Sequence, residues 1–219
     1  MAEKSLEQKI QRALDFQEVA NVMNKYELLL SAGQYDEVVE LFAKRTPGVR
    51  TEMMWGVYEG TEGIKRLFGR GGVHEWMQGK TGDLKPGLMF SLPNANPFIE
   101  VAGDGKTAKG VWVCHGHEAS PSVEDGKPHA YWLFARRACD FVKEDGVWKM
   151  WHYHVYGGYH TPYEKSFIEG IEHPEYPLPD ELKPDKPPTT SWWYKVDVAF
   201  KYEPVLPEPY ETFDEKDAY

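Results

Sequence analysis

Three glycine-containing turns separate long β-rich runs in the second half of the chain. This pattern constrains the fold more than any other feature. The turns are Gly103-Asp-Gly105, Glu124-Asp-Gly126 and Glu144-Asp-Gly146, and the runs they separate or border are 98–102, 108–118, 129–142 and 147–156. An Asp-Gly pair between such runs is typical of an antiparallel hairpin. The sequence therefore predicts antiparallel strands that follow one another along the chain.

The first third of the chain is mainly helical in pattern. Apolar residues recur every three or four positions over residues 5–31, and Ser5 with Gln8 has the spacing of a capping box. A second helix is predicted over 34–43, a strand over 50–58 and a third helix from Gly60. Helices followed by an antiparallel sheet indicate the α+β class.

Residues 160–219 differ in composition from the rest of the chain. They hold ten of the sixteen prolines together with several large aromatic side chains. We interpret 1–159 as one domain and 160–219 as a proline- and aromatic-rich arm that packs on the domain or on a partner subunit. Part of the arm, 191–200, is expected to add a strand.

Charge and composition exclude several classes of partner. The formal net charge of −10 disfavours nucleic acid and anionic membranes. No apolar run approaches a membrane span, and the first residues do not resemble a signal peptide. We expect a cytoplasmic protein in which Cys114 and Cys139 are reduced and buried.

Three segments resemble the SnoaL-like branch of the NTF2 superfamily. They are residues 24–42, 56–64 and 142–150, and the resemblance extends over about 8–158. It implies an NTF2-like cone, in which a curved sheet wraps around the helices and encloses an apolar pocket. Enzymes and binding proteins share this fold, and most of the enzymes use no metal or organic cofactor, so no cofactor and no metal is expected here.

The resemblance also implies roles or orientations for individual residues. Tyr26 matches a catalytic tyrosine of the bile-acid dehydratases, whereas Ser31 stands where those enzymes have an aspartate. On the strand 129–142 it places Tyr131 and Arg137 inside the cone. We expect Arg137 to steady negative charge there.

Strand alternation supplies the remaining catalytic candidates. If Trp148 and Met150 face the helices, the same parity turns His152, His154 and Tyr156 inward. We therefore expect His154 or His152 to act as general base or acid, with Tyr26 donating a hydrogen bond. Tyr156 is expected to contact the substrate.

Aromatic residues on the other strands are expected to form the walls of the pocket. The substrate-binding candidates on these strands are Trp55, Tyr58, Trp112, Tyr131 and His115. Parity directs His115 outward, unless a bulge or the strand end reverses it. The His-x-His pairs invite a metal site, but no carboxylate stands beside either pair at ligand spacing, so none is predicted.

These features favour a cofactor-independent lyase. It would act on a hydrophobic aromatic small molecule, either by dehydration or by carbon–carbon cleavage such as deformylation. An isomerase or polyketide cyclase would use the same pocket, and a non-catalytic binding or assembly module is the third alternative. A homodimer or higher homo-oligomer is expected through the outward Trp132, Phe134 and Trp151, unless the arm covers them.

Overall fold

A long N-terminal helix lies inside a curved sheet and organises the rest of the molecule. The computed structural model describes residues 5–121, 127–169, 177–190, 193–199 and 203–219. The helices are α1 (Leu6–Ser31), α2 (Tyr35–Val39), α3 (Gly60–Phe68) and α4 (Val73–Gln78). Ser5 and Gln8 form the expected capping box at the start of α1. Beyond its end, Gly33 has φ +66°, a backbone conformation that favours glycine.

The strands form one large sheet and one two-stranded ribbon. They are β1 (Arg50–Met53), β2 (Gly56–Glu59), β3 (Gly79–Lys80), β4 (Asp83–Leu84), β5 (Met89–Ser91), β6 (Asn94–Val101), β7 (Thr107–Pro121), β8 (Pro128–Glu144) and β9 (Val147–Pro162). The large sheet has the order β2-β1-β9-β8-β7-β5, with β6 also paired to β7, and β3 pairs with β4. All described pairs are antiparallel except β1 with β9, which is parallel.

The sequence predicted the main strands but not all of their details. The expected strand 50–58 is a tight hairpin, since β1 and β2 turn at Met54 and Trp55. The turn Glu124-Asp-Gly126 lies outside the described residues. The mixed, curved and unclosed sheet around α1 has the α+β cone architecture that the sequence predicted.

Two β-bulges interrupt the pairing of β8 with β9. Asp140 pairs with His152 and Phe141 with Met150, so Trp151 is an extra residue on β9. Gly158 is a second extra residue, and a Cβ there would lie 2.6 Å from the carbonyl oxygen of Phe134. Each bulge reverses the alternation of side chains along the strand. These two reversals decide which residues of β9 face the interior.

Several described parts of the arm cover the outer face of the sheet. Trp132 stacks on Tyr163 with 5.1 Å between ring centroids, and Trp151 lies 4.7 Å from Phe213. The Tyr219 backbone N–H donates to Asp140 Oδ2 over 2.9 Å. Residues 193–199 form turns and irregular structure rather than the expected strand.

Cys114 and Cys139 are free and buried, as expected. None of the helices in the described ranges is both long and apolar enough to cross a membrane.

Candidate active site

A cavity of about 960 Å³ opens between the inner face of the sheet and the helices. Its walls come from α1, α4, β5 and the inward residues of β7, β8 and β9. The arm contributes Lys165, Pro177 and Trp193 at the rim. A volume of this size accommodates a small molecule of several rings.

Arg137 supplies a positive charge at the inner end of the cavity. It is 2% exposed, and its Nη1 donates to Glu27 Oε2 at 2.7 Å, to Asn94 Oδ1 at 2.8 Å and to the Leu92 carbonyl at 3.1 Å. Glu27 also accepts a hydrogen bond from the Leu92 backbone N–H at 2.8 Å. A buried guanidinium needs such compensation. Its Nε has no hydrogen-bond partner among the described residues, so it can donate to a ligand.

Two tyrosines stand next to this charge. The Tyr26 ring lies 5.0 Å from the Tyr153 ring and 5.4 Å from the Arg137 guanidinium carbon. Burial raises the pKa of Tyr26 to about 12, although Arg137 opposes the shift. Burial likewise raises the pKa of Tyr153 well above its ordinary value. The two side chains interact, yet the Tyr153 oxygen makes no well-formed hydrogen bond within the described residues. Both hydroxyls are therefore protonated donors at neutral pH.

His74 on α4 completes the inner end. It is 5% exposed and its ring stacks on Phe68 with 5.1 Å between centroids. Burial, reinforced by the charge of Arg137, lowers the pKa of His74 to about 4. Neither ring nitrogen has a hydrogen-bond partner in the described part of the chain. A neutral imidazole with free nitrogens, beside a cation and two hydroxyl donors, can accept a proton while its neighbours stabilise the resulting anion.

The outer end of the cavity carries a second polar group of residues. His160 Nε2 lies 3.6 Å from Glu118 Oε2, and the Tyr131 ring stacks on His160 at 4.3 Å. Apolar side chains such as Leu133 and Val155 lie on the walls between the two ends. The cavity is therefore polar at both ends and apolar between them.

The structure brings four of the expected site residues to this cavity. Tyr26, Arg137, Trp55 and Tyr131 all line it. Tyr58 is buried behind the wall, where its hydroxyl accepts a 3.1 Å hydrogen bond from Trp55 Nε1 and donates one to the Leu182 carbonyl. Tyr58 therefore holds Trp55 in place rather than lining the cavity.

The predicted orientation of His152, His154 and Tyr156 is wrong. Trp148 and Met150 do face the core, but the bulge at Trp151 reverses the parity. Tyr153 and Val155 consequently line the cavity in place of the expected three residues.

His152 and His154 are instead held in a polar network beneath the arm. His152 Nδ1 lies 2.9 Å from Asp140 Oδ2, and His154 Nε2 lies 2.8 Å from Thr190 Oγ1. Tyr156 stacks on His154 at 3.9 Å. These groups stand on the opposite face of the sheet from the cavity.

Two further candidates lie away from the cavity. Trp112 points inward as expected but is 1% exposed within the core, where it packs edge-on against Phe141. His115 faces outward, stacks on Trp132 and lines a separate depression of about 280 Å³. These positions contradict the prediction that Trp112 and His115 line the walls of the cavity.

Sequence reasoning missed His74, Tyr153 and Glu27. His74 is a single histidine in a short helix after a glycine-rich stretch, which gives no periodic signal. Glu27 did carry a signal, since it lies four residues after Met23 and three before Leu30, on the buried face of α1. A carboxylate on an apolar helix face, together with an inward arginine on a strand, indicates a buried ion pair.

No group of three or more histidine, cysteine, aspartate or glutamate side chains in the described ranges is arranged to hold a metal ion. Besides the Glu27 carboxylate and the Asn94 amide that hold Arg137, the inner end carries two tyrosines and one histidine. Together with Arg137 these side chains are suited to moving protons and binding oxygen atoms.

Comparison with known proteins identifies similar sequences and folds. A family model of the SnoaL-like domain matches residues 11–154. Among curated proteins, none matches the sequence.

Several solved structures share the fold. A candidate scytalone dehydratase from Novosphingobium aromaticivorans DSM 12444 and a hexachlorocyclohexane dehydrochlorinase from Novosphingobium barchaimii LL02 each superpose with a TM-score of 0.56 and 15% identity, over 76% of this chain and 99% of theirs. A candidate dehydratase of the NTF2-like family from Streptomyces avermitilis has a TM-score of 0.53 and 13% identity, over 66% and 97%. At these identities the likeness shows a shared fold.

Proposed function

Because the chain belongs to the SnoaL-like domain family, whose model matches residues 11–154, we propose that its cavity is the active site of a lyase that needs no cofactor. The observation that carries the proposal is His74, a buried imidazole with both nitrogens unpartnered among the described residues. It lines the same cavity as Tyr26, Tyr153 and Arg137.

In the proposed reaction His74 is the general base. Its low pKa keeps it neutral at physiological pH, so that it can accept a proton. Negative charge then develops on the substrate beside Arg137, and the hydroxyls of Tyr26 and Tyr153 donate to it. Fixed donors in a water-poor site stabilise such charge strongly. The same negative charge favours the protonated imidazole, which offsets the effect of Arg137 on His74.

Two eliminations fit this arrangement. In dehydration, His74 removes a proton from carbon, a double bond forms, and the hydroxyl on the neighbouring carbon leaves as water after receiving a proton. In deformylation, His74 removes the hydroxyl proton of a hydroxymethyl group, the carbon–carbon bond breaks and formaldehyde leaves, and the imidazolium of His74 then returns the proton to the carbanion. Dehydratase and dehydrochlorinase names among the structural neighbours are compatible with an elimination.

The walls support an aromatic substrate. Trp55, Tyr131, Phe90 and Trp193 line the cavity and offer flat surfaces for ring stacking. We propose a hydrophobic aromatic small molecule whose oxygen-bearing carbon reaches the inner end.

The test is a turnover screen. Purified protein is incubated with aromatic alcohols that carry a hydroxyl or hydroxymethyl group beside a C–H bond, and loss of water or formaldehyde is followed by mass spectrometry. His74→Gln should lower the rate by about 10²–10⁴, the usual contribution of a general base. His154→Gln, a histidine replacement outside the cavity, is the matched control and should keep activity. Full activity of His74→Gln on a substrate that the protein converts would refute the assignment.

An isomerase or cyclase would use the same base and the same oxyanion donors. Because no leaving group is released, its product has the mass of the substrate. The same screen therefore distinguishes these enzymes from the lyase, since turnover without a change in mass indicates an isomerase or cyclase.

A further inference from the structure

The polar group at the outer end of the cavity is built by three neighbouring strands. Glu118 on β7 pairs with Tyr131 on β8, and His160 on β9 pairs with Leu133, so the three polar side chains lie together on the inner face. The side chains of Glu118 and His160 are 19% and 13% exposed. A carboxylate and an imidazole that are more than four-fifths covered have lost much of their hydration.

Glu118 and His160 do not form a hydrogen bond with each other. The 3.6 Å between His160 Nε2 and Glu118 Oε2 is longer than a hydrogen bond. His160 Nδ1 is buried without a hydrogen-bond partner among the described residues. Both groups line the cavity and so face the space that a ligand would fill.

The outer group lies far from the inner one. Tyr131 lies six positions from Arg137 on β8, which corresponds to ~20 Å of strand, and Leu133, the partner of His160, lies four positions from it, or ~13 Å. The cavity continues between them along an apolar wall that includes Leu133 and Ala135. A single-ring molecule held at Arg137 would leave Glu118 and His160 without a partner.

We propose that Glu118 and His160 form a second recognition site, which binds a hydroxyl group at the far end of an elongated substrate. Glu118 accepts the hydrogen bond from this hydroxyl, His160 contacts the same oxygen, and the Tyr131 ring stacked on His160 supports the adjoining aromatic ring. The proposal rests on the proposed function, because it concerns the outer part of the same substrate. Glu118 and His160 are specificity residues, since they stand away from the reacting bond.

The test measures binding rather than turnover. Three probes are used: 4-ethylphenol, 4-hydroxybibenzyl and 4,4′-dihydroxybibenzyl, which has a hydroxyl on each of two linked rings. Their affinities are measured by isothermal titration calorimetry for the native protein and for Glu118→Gln. The native protein should bind the dihydroxy probe about tenfold or more tightly than the monohydroxy probe, the factor expected for one hydrogen bond to a carboxylate. Glu118→Gln should lose this preference and retain its affinity for 4-ethylphenol.

Two results would overturn the proposal. One is a native protein that does not distinguish the two bibenzyls. The other is a Glu118→Gln variant that keeps the full preference. If Glu118→Gln does not fold, Glu118→Asp takes its place, because withdrawing the carboxylate by one methylene should also reduce the preference several-fold.

His74→Gln separates this proposal from the proposed function. It should lower turnover by about 10²–10⁴ yet keep the preference for the second hydroxyl. A failure of the elimination chemistry therefore leaves the binding result unaffected, and the reverse also holds.

Discussion

Replacing His74 by phenylalanine should change how the stability of the fold depends on pH. The imidazole is buried and its pKa falls from 6.5 to about 4 in the folded protein. In the unfolded chain the ordinary pKa returns. Phenylalanine keeps a ring against Phe68 and removes the titrating group, so the comparison isolates one proton-binding site.

The direction in which pH changes the free energy of unfolding follows from proton binding in the folded and unfolded states. Between pH 6.5 and 4 the unfolded chain takes up a proton at His74 that the folded protein does not, so acid favours unfolding across this window. The difference in pKa corresponds to about 3 kcal/mol lost between pH 7 and pH 4. His74→Phe should not suffer this loss. Its free energy of unfolding, relative to the native protein, should therefore rise by about 3 kcal/mol on going from pH 7 to pH 4.

Urea unfolding at several pH values between 4 and 7 measures this difference. Carboxylates contribute equally to both proteins and cancel. Phe68→Leu is the matched control, because it disturbs the same packing without removing a titrating group and should shift stability by a constant amount. If the curves for His74→Phe and the native protein run parallel across the window, the histidine is not buried and neutral as described.

Three further perturbations address other contacts. Arg137→Met should lower the free energy of unfolding by about 3–5 kcal/mol, because it leaves the Glu27 carboxylate buried and uncompensated, and adding Glu27→Met should recover part of this loss in urea titrations. Gly158→Ala should cost roughly 1–3 kcal/mol in the same assay, since its Cβ would lie 2.6 Å from a carbonyl oxygen. Tyr153→Phe should lower kcat by about 10²–10³ with little change in KM on a converted substrate, as expected for loss of an oxyanion donor.

Local sequence signals accounted for most of the fold. The Ser5 capping box, the apolar spacing of α1 and the Asp-Gly turns are interactions between residues close in sequence, so they can be recognised without knowing the partner strands. The orientation of Tyr26 followed from the same periodicity, and that of Arg137 from the family resemblance.

The face on which each side chain of β9 lies could not be predicted from local sequence signals. A bulge depends on how two strands pair, and nothing in the run around Trp151 marks one residue as extra. Counting by twos from Trp148 therefore gave the wrong face for every residue from His152 to Tyr156. His74 was missed for a related reason, because its burial depends on Phe68 and on Arg137, which are distant contacts rather than neighbours in a pattern.

The extra residue in β9 also bears on how such a pocket changes over evolutionary time. Because Trp151 shifts the strand by one position, residues adjacent in sequence serve separate compartments: Tyr153 lies within the cavity, whereas His152 and His154 lie beneath the arm. Regular pairing of the same residues, with Trp151 opposite Asp140, would instead place His152 opposite Cys139 and His154 opposite Arg137, and would bring imidazoles into the chamber without any substitution. A one-residue slip of one strand, rather than a point mutation, is thus a short route to new chemistry in this scaffold.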